Sequence, residues 1–565
     1  MDHDEILYIN NVEQSAAWLG KLRECRPQLP AWVSDFHSQK LPCNLLHESD
    51  EHDRSGSYNW LIQFVFTNGE EWIVRFPKGP KVKHPDEKVE AEVLTLKLIR
   101  DKTDIPVPEV KAWGLSAENK FGLGPFIMMP VIKGIDLESI LRAPDSEARL
   151  MREDIGDGVA ATIYRQIARY MLQLFQLDFP RIGSLSRSPM SQRAVGYAAA
   201  IDSRPFTWRA HEALVLGGVD TYCPKATTFS STADYFAYVA EGDLQQLYQQ
   251  PSAVDDETDA RKKLIYWEIF KSLTPRHVLA KYDKGPFKLI CDDFGPANMI
   301  VNNERDLKIV GVIDWEWSYA GPCQIFCSPP RWLLLDPPNH WYKDDISVAT
   351  RYDKLLEMFL GILEEEEEAI LKDIPLDERP SALMRECKED GRTWFHCIIR
   401  QGFNGPDMFV WERLRAATPD FDRLVGEVSD EKIAAFVKDK MTALAKYRSN
   451  RDKKRDWLDQ IMCTASQAMA ITWKDAPKQH REFSTSISYH TEIKMPKTQK
   501  EIKAREAVND RIANTKTSDM NRMMDAGRSS QRKREDIRKE KEERERREKE
   551  RKEKEAAASN GGSRS

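Results

Sequence analysis

An α+β architecture in two lobes, strands first and helices after, is the fold class this sequence predicts. Three observations predict it. Aromatic-rich strand patterns joined by Asn68-Gly69 open the folded part, amphipathic helical periodicity takes over from about Asp136, and a short β-rich island between Lys288 and Ile313 interrupts the helices. The 565 residues, 41% of them hydrophobic, can bury a sizeable core.

The elements run in order along the chain. Ala16 to Leu22 reads as a helix, and Pro27 and Pro30 come after it. Trp60 to Phe66 and Trp72 to Phe76 are partly alternating apolar runs on either side of a strong turn signal, so they form a β-hairpin. Glu87 to Arg100 has helical spacing, with Val89, Val93, Leu96 and Leu98-Ile99 able to share a face. A Pro-containing connector, 105–110, leads to an apolar strand, Pro125 to Val131. Ala160 to Leu177, Trp267 to Leu273 and Tyr352 to Leu371 are helices, and Lys288 to Cys291, Met299 to Asn302 and Ile309 to Ile313 are strands. The acidic run Glu364 to Glu368 reads as a solvated helix face rather than the lining of a cation site.

Composition excludes several functions. The formal net charge of -6 argues against nucleic acid as the main partner, and no apolar run reaches the length of a membrane span. The N-terminus lacks a basic start followed by an apolar stretch, so no secretory signal is expected. Nine irregularly spaced cysteines read as reduced thiols of a cytoplasmic protein, and the C-x3-C pair Cys323/Cys327 has no second pair to complete a zinc site. Gln531 to Glu555 is almost entirely Lys, Arg and Glu. Spacings such as Glu535 with Lys539 support a solvated helix by about 0.2–0.5 kcal/mol each. That tail could bind protein or nucleic acid, and its basic content is compatible with the nucleus.

The chemistry concentrates in Leu289 to Asp314. Asp293 and Asn298 precede one short strand and Asp314 comes after the next, so a hairpin brings the amide of Asn298 near the carboxylate of Asp314. A carboxylate and an amide oxygen, completed by water and phosphate oxygens, suit Mg²⁺. A second carboxylate beside them, Asp293, can orient a hydroxyl and accept its proton. Alone, Asp293 would read as a loop cap and Asp314 as a strand-terminal charge; the coupled spacing is what points to phosphoryl transfer.

Asp293-Phe-Gly-Pro-Ala-Asn298 resembles the catalytic loop, HGDxxxxN, of the aminoglycoside phosphotransferase and choline kinase-like superfamily. Ile313-Asp314-Trp315-Glu316 resembles the family's second metal motif, and Trp317 to Pro322 with Pro329 to Leu333 resembles its fungal branch. The resemblance covers roughly residues 41 to 450, apart from an unmatched insertion around 185 to 265. It implies a protein-kinase-like fold with a small β-rich N-lobe and a larger, mainly helical C-lobe. It also implies ATP or GTP as phosphoryl donor, Mg²⁺ held by Asn298 and Asp314, Asp293 as the catalytic residue and a small-molecule hydroxyl as acceptor. Arg75 resembles the phosphate-binding cation of the strand Trp72 to Pro77, and Glu92 its helix partner, with Glu90 competing. Gly56 and Ser57 fall in the loop that covers the phosphates, while Met129 and Val131 fall in the adenine-binding hinge.

The chain departs from that pattern in three places. Cys291-Asp292 replaces His-Gly, Arg75 replaces a lysine, and the loop Ser49 to Asn59 holds one glycine together with Asp50, Glu51 and Asp53. Cys291, reached through Leu289-Ile290, reads as a packed thiol. The alternative to an enzyme is therefore a pseudokinase that binds nucleotide or partners without turnover. The expected domains are an N-terminal helical extension (1–40), a nucleotide-binding lobe (41–135), a catalytic and substrate-binding lobe (136–472) and a charged, helical or disordered tail (473–565).

Overall fold

The computed structural model describes residues 4–50, 53–142, 149–187, 199–342, 345–403 and 405–475. By internal contacts the chain divides into residues 2–454 and a unit from residue 455 on, of which a helix up to Asp475 is described. The charged run 531–555 lies outside the described residues.

The N-terminal part begins with α1 (Glu5–Cys25), capped by the Asp4 carboxylate on the Leu7 amide, and α2 (Leu29–Ser34). The strands β1 (Cys43–Leu45), β2 (Arg54–Ser55), β3 (Asn59–Phe66) and β4 (Glu71–Pro77) come next, then α3 (Pro85–Lys102), β5 (Ala112–Gly114) and β6 (Phe126–Pro130). They form an antiparallel sheet in the order β1-β3-β4-β6-β5, with β2 added to β3. The β3–β4 hairpin turns at Asn68-Gly69 as expected. Gly69 has φ +86°, a left-handed conformation that glycine adopts without a Cβ penalty, and the Glu70 amide donates to Asn68 Oδ1 at 3.0 Å.

Two-residue periodicity gives each face of this sheet its own core. Ile62, Phe64, Trp72, Val74, Phe76, Phe126 and Met128 pack with Leu22, Leu29, Trp32 and Val33 of α1 and α2. Ile127 and Met129 point the other way, into the core that holds Val89, Val93, Leu96 and Ile99 of α3. Arg75, between Val74 and Phe76, therefore also faces α3. The N-terminal helices are thus the second layer of the sheet, with Trp32 stacked on Phe76 and edge-on to Phe36, Phe121 and Phe126.

From β7 (Ile135–Asp136) the chain is mainly helical: α4 (Leu137–Leu141) and α5 (Asp157–Phe175), then β8 (Asp178–Phe179), β9 (Ser184–Arg187) and β10 (Ala199–Ser203), then α6 (Trp208–Gly217), α7 (Thr232–Gln249) and α8 (Glu257–Leu273). The strands β11 (Phe287–Cys291), β12 (Met299–Val301), β13 (Ile309–Val312) and β14 (Ser318–Gly321) form the island. After it come α9 (Cys323–Phe326), α10 (Ile346–Ile370), α11 (Pro380–Glu389), α12 (Arg392–Arg400), α13 (Phe409–Ala416), α14 (Phe421–Glu427) and α15 (Asp430–Asp475). α5 lies on α10 within the same core as α3, while α7, α8, α12 and α13 share a second core around Phe236, Phe270, Phe395 and Trp411. The two-lobed α+β fold read from the sequence is the fold observed.

One expectation is corrected here. The run 364–368 is not a uniformly solvated face. Glu366 is buried and pairs with Arg165 and Arg169 of α5, and Glu367 is buried on the Ser381 amide and hydroxyl. Glu366 thus joins α10 to α5 through two partly exposed arginines, and Glu367 joins it to the start of α11.

Trp32→Ala should empty the centre of the outer aromatic layer and destabilise the protein by about 3–5 kcal/mol, read as a lowered urea midpoint at unchanged m-value.

Candidate active site

β11 and β14 pair from Lys288↔Gly321 to Cys291↔Ser318, and β12 pairs with β13 and β7. Between β11 and β12 a tight 3₁₀ turn, Pro296–Asn298, carries the chain back. Gly295 precedes that turn, and a Cβ there would meet the Trp332 side chain at 2.8 Å, so only glycine admits the close approach. The Ile313 amide donates to the Asn298 carbonyl at 2.9 Å, one residue before Asp314. The hairpin thus brings Asn298 and Asp314 to the same end, as its length implied. Asn298 Nδ2 donates to the Asp293 carbonyl at 2.8 Å, which turns its Oδ1 the other way. Asp314 has φ +58°, a left-handed conformation that aspartate tolerates better than most residues. The Cys291 thiol reaches the Asp314 carbonyl at 3.7 Å, joining the two loops.

Arg75 is buried, not an edge-strand surface charge. Its guanidinium donates to Asp314 Oδ1 at 2.9 Å, to Glu316 Oε2 at 3.0 Å and to Glu92 Oε2. Glu90, the competing partner, pairs instead with Arg187 of β9. Lys88, fully buried one turn before Glu92, donates to Glu316 Oε2, and Asn59 Nδ2 donates to the same oxygen at 2.7 Å. Burial alone would raise the Glu316 carboxyl, but Lys88 and Arg75 outweigh it and hold it down at about 2. For Glu92 and Asp314 burial prevails over the Arg75 charge and the shift is upward.

Asp293 lies open to a cavity of about 140 Å³. Desolvation by the concave wall, then the carboxylate of Asp314, pushes its carboxyl up to about 6, while the Asn298 hydrogen bond and Arg149 oppose the shift. The neighbouring Asp292 does not produce this. Its buried carboxylate points away and pairs with Arg400 Nε of α12 at 3.2 Å. Burial raises the Cys291 thiol well above its ordinary value, in keeping with a packed side chain.

Two of the three loop carboxylates are neutralised from behind, and Glu51 lies outside the described residues. Asp50 pairs with Arg23 at 2.8 Å, and Asp53 pairs with Arg26 while accepting from Trp60 Nε1 at 2.8 Å. Gly56 and Ser57 form the exposed tip between β2 and β3. Neither touches the Arg75 network, although Asn59, three residues past Gly56, does. Lys78 holds the tip through the Ser55 hydroxyl at 2.7 Å and the Gly56 carbonyl. Met129 lies opposite Ile73 in the β4–β6 ladder. The Val131 amide donates to the Glu71 carbonyl at 2.9 Å, so it is not available to an adenine; only its carbonyl is.

Hard oxygen donors from Asp314 and Asn298 stand beside a cluster in which three carboxylates face two cations. That donor set and its excess negative charge fit Mg²⁺. Sequence reasoning missed Lys88, Glu316 and Asn59. A charge on the apolar stripe of α3 was the signal for Lys88, and it is weak by itself. It also missed the inserted segment, where Trp208 lines the cavity and donates to the Tyr58 hydroxyl at 2.9 Å, and Phe206 and His211 pack on Trp317.

Residues 53–324 match the model of the phosphotransferase enzyme family, APH, and this stretch is similar to that family. A subtelomeric hrmA-associated cluster protein of Aspergillus fumigatus is 30% identical over 130 residues, 23% of either chain, so the match spans about a quarter of that relative's length. Among solved structures, a macrolide 2′-phosphotransferase from Brachybacterium faecium is 16% identical, with 74% of this chain and 98% of that one covered at a TM-score of 0.33. A microcompartment-associated aminopropanol kinase is 13% identical over 71% and 94% of the two chains, with a TM-score of 0.32. No helix among the described residues is long and apolar enough to cross a membrane.

Glu316→Gln should weaken the anchor shared by Arg75, Lys88 and Asn59 and leave buried positive charge, lowering unfolding free energy by roughly 3–5 kcal/mol in urea titrations.

Proposed function

We propose that this protein moves the γ-phosphoryl group of ATP or GTP to a hydroxyl of a small molecule, with Mg²⁺. The observation that carries this reading is the chain of contacts that joins Asp293 to Asn298 and Asp314 to the buried Arg75–Glu92 pair, with Asn298 and Asp314 at one end of a hairpin. Asp293 receives the acceptor's proton as the acceptor oxygen bonds to phosphorus. The bond from phosphorus to the β-phosphate oxygen breaks, and the nucleoside diphosphate leaves. Asn298 and Asp314 would hold Mg²⁺, which would offset charge on the phosphate oxygens. Arg75, oriented by Glu92, faces the phosphates, Gly56 and Ser57 cover them, and Met129 and the Val131 carbonyl border the base. Residues 41–135 serve the nucleotide and 136–472 the chemistry and acceptor, with 1–40 bracing the sheet. The free state of all eight cysteines whose side chains are described supports a cytoplasmic setting.

The arrangement of Arg75 favours a second reading. Its fork is already occupied by three carboxylates, one of them Asp314, so the same site could bind partners without turnover, as in a pseudokinase. Magnesium-dependent consumption of ATP in the presence of a hydroxyl-compound panel separates the two readings.

Asp293→Asn should lower kcat by about 10²–10⁴ while leaving the thermal shift with Mg·ATP in place, since the lost group is a proton acceptor. Because the carboxylate is the working form and its carboxyl is pushed up to about 6, kcat/KM should fall as pH drops through about 6; a flat profile across that range would remove Asp293 as the base.

A further inference from the structure

In the wall of the cavity beside Asp293, two guanidiniums share one buried carboxylate. Arg331 and Arg400 both line the cavity, and Asp292 is the carboxylate that acts on both of them. Arg400 takes that carboxylate, and its other contact is the Cys291 carbonyl at 3.4 Å. Arg331 is left with neutral acceptors at long range: Asn339 Oδ1 at 3.3 Å, Gln401 Oε1 at 3.4 Å and the Asp292 carbonyl at 3.3 Å. It has no ion pair among the described residues, its Nε has no hydrogen-bond partner there, and only 8% of the residue is exposed. Burial, reinforced by the charge of Arg400, pulls its pKa down to about 10, which is the behaviour of a cation short of compensation.

A buried guanidinium without a counter-ion is costly unless something supplies one, and its planar fork matches a carboxylate or phosphate. The position also matters. Arg331 bonds to the backbone of Asp292, the residue next to Asp293, so the cation and the base open on one small cavity. Arg149, on the same wall, is already satisfied by a two-pronged pair with Glu138 at 2.8 and 2.7 Å. A polycationic acceptor would meet these guanidiniums with like charge.

We infer that the cavity takes an acceptor bearing a carboxylate or phosphate within a few bonds of the hydroxyl to be phosphorylated, with Arg331 as the group that binds that anion. This rests on Asp293 being the acceptor-facing base. Four three-carbon probes separate the charge classes: glycerate and glycerol phosphate, neutral glycerol, and cationic aminopropanediol. Calorimetric titration of the full chain should show both anions binding roughly tenfold or more tighter than glycerol, with aminopropanediol weakest. Arg331→Gln should erase that preference, and its thermal shift with Mg·ATP reports whether the variant is folded. Should the variant fail to fold, the wild-type ranking decides, together with weakening of anion binding by added salt. Equal or better binding of glycerol or aminopropanediol overturns the inference, as does no binding of either anion. Tight anion binding without phosphoryl transfer would instead leave the inference standing and remove the proposed activity. Transfer to a neutral or cationic acceptor with no anion binding would do the reverse.

Discussion

One buried guanidinium ties the molecule's parts together. Arg75 sits on β4, and its three carboxylate partners come from α3 and from the segment just past β13. A charge at that depth is tolerable only because its partners are close and charged, and removing any of them leaves uncompensated charge in a poorly solvated place. Lys88 and Asn59 close the network on Glu316, so the start of β3, α3 and the segment after β13 are held by one oxygen and one fork. Arginine suits this position better than lysine. A lysine ammonium would present its three donors from a single atom, whereas the wider planar fork reaches all three carboxylates from two nitrogens.

Much of this was legible in the sequence because it depends on short-range signals. The β3–β4 hairpin is dictated by alternation and Asn68-Gly69, and the juxtaposition of Asn298 and Asp314 by the length of a hairpin. Glu92 could be named, but choosing it over Glu90 required Arg187, on a strand nearly a hundred residues away. Glu316 was visible only as part of a motif. Its connection to Lys88 and Asn59 joins residues more than two hundred positions apart, which no local pattern encodes. The carboxylates Glu366 and Glu367 misled for the same reason: a run of acids reads as a solvated face until the arginines of α5 are known.

The insertion reaches the cavity beside Asp293 although it carried a weak sequence signal. Its β9–β10 hairpin and α6 lie against α3 and the strand after Asp314. The pairs Arg187–Glu90 and Arg204–Glu87 fix it there, as does the stack of Phe206 on Trp317. Trp208 then forms part of the wall around Asp293. The surroundings of Asp293 are therefore built by segments far apart in the chain, so they cannot be read from the run Asp293 to Asn298 alone.

The pairing of Asp50 with Arg23 and of Asp53 with Arg26 has a consequence for the freedom of the segment between β1 and β3. A glycine-rich flap is mobile until a nucleotide orders it, and part of the binding free energy is lost in stopping that motion. Here the first helix and the turn after it restrain the loop's flanks during folding. At Asp50 and Asp53 the conformational entropy is surrendered once, in folding, and no later event has to take it again.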